Sequence, residues 1–109
     1  MTIEFKLEGQ DFIALNGGPQ FKFNEAISFS VECETQEDID YYWERLLAGG
    51  GKPVQCGWLK DRYGLSWQVN PTVLSRIFSG KDSARAERVM KAMLEMVKLD
   101  ITKLEEAAK

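Results

Sequence analysis

The chain has 109 residues, 44% hydrophobic and 28% charged, with a net charge of -3 and not one histidine. That is the size and balance of one small soluble domain, whose modest core often needs a partner surface to complete it. The acidic balance and scattered Lys and Arg argue against nucleic acid, no run has the apolar length of a membrane span, and without imidazole neither Cys-His nor Ser-His nucleophilic catalysis can be assembled within the chain.

The N-terminus is charged and alternating, unlike a signal peptide. Ile3, Phe5 and Leu7 alternate with Glu4, Lys6 and Glu8, which predicts a half-buried strand over Ile3–Leu7. Glu8-Gly9-Gln10 is a turn, and Asp11–Asn16 the returning strand, broken by Gly17-Gly18-Pro19. Ala26–Glu32 alternates again, with Ile27, Phe29 and Val31 against Ser28, Ser30 and Glu32. Thr35 followed by Asp38 has the form of a capping box, and Ile39, Tyr42, Trp43, Leu46 and Leu47 then recur at helical spacing until Gly49-Gly50-Gly51. Val54–Lys60 and Gly64–Val69 are expected to form a second hairpin around Asp61-Arg62-Tyr63-Gly64.

From Thr72 onward the expectation is helical. Thr72–Phe78 is one short helix. Asp82 or Ser83 caps the next, with the stripe Ala86, Val89, Met90, Met93, Leu94 and Val97, and Asp100–Ala108 forms a last turn or two. The Met90, Met93 and Met96 spacing suits core or interface packing.

The two hairpins can be laid over each other as a repeat. Leu7 falls on Leu59, Ile13 and Leu15 on Leu65 and Trp67, Asn16 on Gln68 and Pro19 on Pro71. A strand and a helix precede the second hairpin, and none precedes the first. If the repeating unit is strand-helix-strands, the expectation is one whole unit and the tail of another, and a sheet short of a unit has an open edge that a second copy of the chain would cover.

The segments ALNGGPQFKFNEAISF, CETQEDIDYYWERL, GWLKDRYGLSWQVNP and RVMKAMLEMVKLDITKLEEA resemble the PhnB-like group, also labelled 3-demethylubiquinone-9 3-methyltransferase-like, of the glyoxalase/bleomycin-resistance/dioxygenase (vicinal oxygen chelate) superfamily. The resemblance implies an α+β fold of βαβββ modules, each curling its sheet into a concave wall with the helix outside. Members carry a strand-helix-strand ahead of the part that matches Met1, so the expectation is one complete module, one partial module, and a homodimer that completes the sheet. The expected division is a partial-module hairpin over 1–19, a full module over 25–71 and C-terminal helices over 72–109, all within a single domain.

In that arrangement Ile27, Phe29 and Val31 would pack under the helix, while Ser28, Ser30, Ser66 and Gln68 would face the concavity, a wall suited to a small, partly polar molecule. Metal-dependent members of the superfamily chelate a divalent ion with His, Glu or Gln. The matching positions are Asn16 and Gln68, and neutral amides without imidazole or thiolate are poor ligands, so no metal is expected and the amides would hydrogen-bond across the pocket floor. Cys33 and Cys56 lack metal or redox spacing and read as reduced thiols of a cytoplasmic protein. Cys56 is placed in a strand, either as a small buried hydrophobe or as pocket lining, and Trp58 and Tyr63 flank the same hairpin. Glu32 and Glu34 are either a solvated strand end or a source of a general base.

The methyltransferase label implies S-adenosylmethionine, but neither Gly-rich stretch links a strand to a helix, so no cofactor is expected. The functional expectation is metal-independent binding of a small molecule by Asn16, Ser28, Ser30, Cys56, Trp58, Ser66 and Gln68. The alternative is an enzyme, isomerase-like, dioxygenase-like or methyltransferase as the label says, whose missing groups come from another segment or a partner.

Overall fold

Alternating apolar residues build a hairpin first. Thr2–Leu7 (β1) and Gln10–Leu15 (β2) pair antiparallel, with Ile3 opposite Ala14 and Phe5 opposite Phe12. Glu8 and Gly9 turn the chain with φ of 50° and 77°, the left-handed backbone of a two-residue hairpin loop. The computed structural model describes residues 1–109.

The hairpin forms a sheet of its own. Phe5 and Phe12 stack at 5.6 Å, and Phe12 meets Phe29 of the larger sheet edge-on at 6.0 Å. The rest of its apolar side has little cover: Ile3 is 59% exposed and Leu7 47%.

The second sheet contains Ser28–Cys33 (β3), Lys52–Pro53 (β4), Trp58–Lys60 (β5) and Ser66–Pro71 (β6), in the spatial order β3-β6-β5-β4. β3 and β6 run parallel, the other pairs antiparallel. The parallel pair requires a crossover, which starts with the helix Gln36–Leu47 (α1). Thr35 caps it, its Oγ1 accepting from the Asp38 backbone N at 3.1 Å, and Gly49 and Gly50, both at positive φ, end it. The apolar face of α1 lies over β3, β5 and β6. Ile39, Cys33, Leu59 and Val69 are buried there, with Val31, Trp43, Leu46 and Trp67 around them.

Three helices follow: Val73–Ser79 (α2), Ser83–Leu94 (α3) and Ile101–Ala107 (α4). Asp82 and Asp100 cap the last two, accepting from Arg85 N at 2.9 Å and Lys103 N at 3.2 Å. They enclose a second core of Leu74, Ile77, Val89, Met93, Leu99 and Leu104. Backbone bonds from Cys56 N to Met96 O (2.8 Å) and Gly57 N to Val97 O (2.7 Å) tie this layer to the sheet. Gln36 completes the tie, donating to Leu99 O at 3.0 Å and accepting from Ile101 N at 2.8 Å. No helix is long and apolar enough to cross a membrane.

The fold is thus mixed α+β, with two sheets and four helices. Its radius of gyration, 16.0 Å, exceeds the roughly 13 Å of a compact chain of this length, in keeping with a hairpin that packs so little.

Several local expectations are corrected. Val54–Lys60 is not one strand. Cys56 and Gly57, at φ of 60° and 82°, turn the chain between β4 and β5. Gly57 belongs there, because a Cβ would sit 2.9 Å from the Leu99 side chain and 3.1 Å from Val69 O. Ile27 is not under the helix; it precedes β3 and is 67% exposed. The stripe on α3 divides: Val89 and Met93 are buried, whereas Met90, Leu94 and the following Val97 are exposed. The overlay of the hairpins does not survive pairing, since Leu7 pairs with Gln10 but Leu59 with Trp67. The second turn is longer and is built on Asp61, whose carboxylate accepts from Tyr63 N, Leu65 N and Trp67 Nε1 at 2.9 to 3.0 Å.

Candidate functional site

Register and alternation decide what the open face of the larger sheet carries. On β3 and β6, Ser28 lies opposite Ser66, Ser30 opposite Gln68 and Glu32 opposite Asn70. The residues between them, Phe29, Val31, Trp67 and Val69, point to the α1 side, so these polar six share the other face. Trp58 pairs with Gln68 from β5 and is half-buried on the same face.

The polar side chains are linked. Gln68 Nε2 donates to Ser28 Oγ at 2.9 Å, and Asn70 Nδ2 donates to Ser30 Oγ at 3.0 Å and to Gln68 Oε1 at 3.4 Å. Ser30 Oγ in turn donates to Glu32 Oε1 at 3.2 Å. Linked in this way, the row is held at fixed spacing, which favours a fixed ligand geometry over an adaptable one. Ser66 is buried and paired by register with Lys60 as well as Ser28.

At the Pro71 end of this face a cavity of about 350 Å³ opens, with Glu32, Gln68 and Asn70 on one wall and Leu74, Phe78 and Met93 from α2 and α3 on the other. Such a volume suits a small molecule. One wall offers amides and a carboxylate, the other hydrocarbon, aromatic ring and thioether.

Of the residues named from sequence, Ser28, Ser30, Ser66, Gln68 and Trp58 share the face. Asn16 does not join them: it follows β2 at the open end of the hairpin, its backbone N donating to Met1 O at 3.0 Å. Cys56 lies in the β4–β5 turn with its backbone bonded to the C-terminal segment. Tyr63 is exposed, under the Arg62 guanidinium at 4.8 Å from its ring. Asn70 was missed, although one further step of the strand alternation that joins Ser66 and Gln68 leads to it. The apolar wall was missed because its residues looked like helix packing alone.

The donor set does not fit a transition metal. No three His, Cys, Asp or Glu side chains come together anywhere in the fold, and hydroxyls and amides beside one carboxylate lack the nitrogen or sulfur ligands such ions prefer. Nor do the glycines fit S-adenosylmethionine: Gly49 and Gly50 end α1, and Gly17 and Gly18 follow β2 into irregular chain. Cys33 offers no nucleophile. Burial, with Asp38 and Glu32 adding negative charge nearby, pushes its thiol up to about 11. Glu32 is the ionisable group of the cavity wall, and Glu34 stands exposed beyond the strand.

The sequence family 3-demethylubiquinone-9 3-methyltransferase matches residues 1–70. No curated protein matches. Among solved structures, a putative 3-demethylubiquinone-9 3-methyltransferase, a PhnB protein from Bacillus cereus, is 32% identical and superposes with a TM-score of 0.60, covering 66% of this chain and 64% of its own. This chain therefore spans less than two thirds of that relative's length. The match runs through both hairpins and the polar strand β3, and on that ground the chain belongs to the PhnB-like, 3-demethylubiquinone-9 3-methyltransferase family.

Proposed function

We propose that this protein binds a small, partly polar organic molecule, without a metal, in the cavity between the β3–β6 polar row and the α2–α3 wall. The hydrogen-bonded row Ser28, Ser30, Gln68 and Asn70 carries this reading. A sheet face needing only solvent contact has no use for amides cross-linked to hydroxyls beside an apolar wall. The ligand would exchange hydrogen bonds with Gln68 and Asn70 and lay its apolar part on Leu74 and Phe78. The free thiols Cys33 and Cys56 fit a reducing compartment such as the cytoplasm.

A ligand-observed NMR screen of small oxygen- and nitrogen-containing compounds tests it. Hits should disappear in Asn70→Ala and survive in Asn16→Ala. Hits indifferent to Asn70→Ala would overturn the assignment. Elemental analysis checks the metal-free part, since a stoichiometric divalent metal in the purified protein would contradict it.

A second reading draws on the bare apolar side of the hairpin, Ile3, Phe5 and Leu7. A second copy of the chain seated there would form a homodimer and bring further groups to the site, as an isomerase-like, dioxygenase-like or methyltransferase enzyme of the vicinal oxygen chelate superfamily would require. Light scattering at micromolar concentration decides the assembly. A monomer mass would remove the homodimer and this route to an enzyme with it.

A further inference from the structure

A second cavity, of about 600 Å³, lies on the other side of β3, between the hairpin, the sheet and α1. Its walls are aromatic: Phe12 from β2, Phe29 from β3, Trp67 from β6 and Tyr42 from α1. The rings form a chain, Phe12 edge-on to Phe29 at 6.0 Å and Phe29 tilted on Trp67 at 5.4 Å. Phe29 is 38% exposed and Tyr42 36%, so ring surface remains open to an occupant. The charged groups of the lining are two carboxylates, Glu8 and Glu32, with no Lys or Arg among them.

We propose that this aromatic cleft is a binding site for a small organic cation of the quaternary-ammonium type. The faces of Trp, Tyr and Phe are electron-rich and attract a weakly hydrated cation. Carboxylates at the rim add attraction for the same charge, and their desolvation disfavours a neutral or anionic occupant. Glu8 is placed for this at a visible cost. It occupies the first position of a two-residue turn with φ of 50°, where Asn, Asp or Gly is the usual residue. Glu32 borders both this cleft and the polar cavity, so Glu8 is the position that addresses the cleft alone.

The test is a titration of the full chain with choline, followed by NMR at the indole Nε1–H of Trp67 and at the Phe29 ring, with 3,3-dimethyl-1-butanol as the neutral isostere. Choline should give saturable shifts at both, and the isostere should bind about tenfold more weakly. Glu8→Asn should weaken choline several-fold without lowering Tm, since Asn suits the turn better. Tyr42→Ala should weaken it too, while Asn70→Ala, in the other cavity, should leave it unchanged. Equal affinity for choline and its isostere would overturn the proposal. So would undiminished binding in Glu8→Asn, or the absence of saturable shifts.

Discussion

The hairpin β1–β2 and the sheet β3–β6 are written in the same alternating code and fare differently. In the larger sheet the apolar face is closed by α1, and Ile39, Leu59 and Val69 are wholly buried. In the hairpin, Ile3, Phe5 and Leu7 line one face just as regularly, yet each stays at least 40% exposed. Alternation specifies which residues share a face; it does not provide the layer that covers them. Two strands alone are marginal in water, and what holds this pair to the rest is largely the aromatic contact of Phe12 with Phe29.

The contrast can be broken most forcefully in the cores. Leu59→Ala should cost about 2–5 kcal/mol in urea unfolding, whereas Ile3→Ala should cost less than about 0.5 kcal/mol. Equal costs would mean that the hairpin is covered in solution. Next come two glycines at positive φ. Gly57→Ala drives a methyl toward Leu99 and should cost about 1–3 kcal/mol, while at Gly9 nothing lies within 4 Å of the added carbon and only the backbone penalty of about 1 kcal/mol applies. Thr35→Ala, which removes the cap of α1, should lower stability by about 1 kcal/mol by the same measurement.

The smallest effect is a pH dependence. Hydrogen bonds from Lys98 and Gln36 hold the Asp40 carboxyl below its usual range. The native state thus binds its proton less readily than the unfolded state. The stabilisation is present above the ordinary carboxylate pKa and fades as pH falls through the lowered one. The Asp40–Lys98 ion pair is exposed, so the difference between wild type and Asp40→Asn should be slight in acid and appear only as pH rises.

Much of this was legible in the residues. Thr35 and the Asp82-Ser83 pair announced two helix starts, and the serines of β3 announced a polar face, because caps and alternation are local physics. The split of Val54–Lys60 was not legible: Cys56 takes a left-handed backbone that its residue type does not advertise, held by the bond to Met96 O from forty residues away. The cavity's apolar wall was hidden for a related reason. Leu74, Phe78 and Met93 have the spacing of core residues, and only the docking of α2 and α3 against the end of β6 turns one side of them toward Gln68 and Asn70. Asn16, matched to Gln68 by the overlay and by the resemblance, stands instead at the open end of the hairpin, because the overlay ignored the longer turn at Asp61.

The bonds of Gln36 to Leu99 and Ile101 set an order of events during synthesis. The β4–β5 turn and the start of α1 both wait for partners between Met96 and Ile101. A nascent chain that has emerged only to Pro71 has every strand of the larger sheet and neither of these anchors. Closing so long a loop is entropically slow. Until Met96–Ile101 has emerged, the β4–β5 turn and the start of α1 are without these bonds, and the sheet's exposure to aggregation is greatest over that interval.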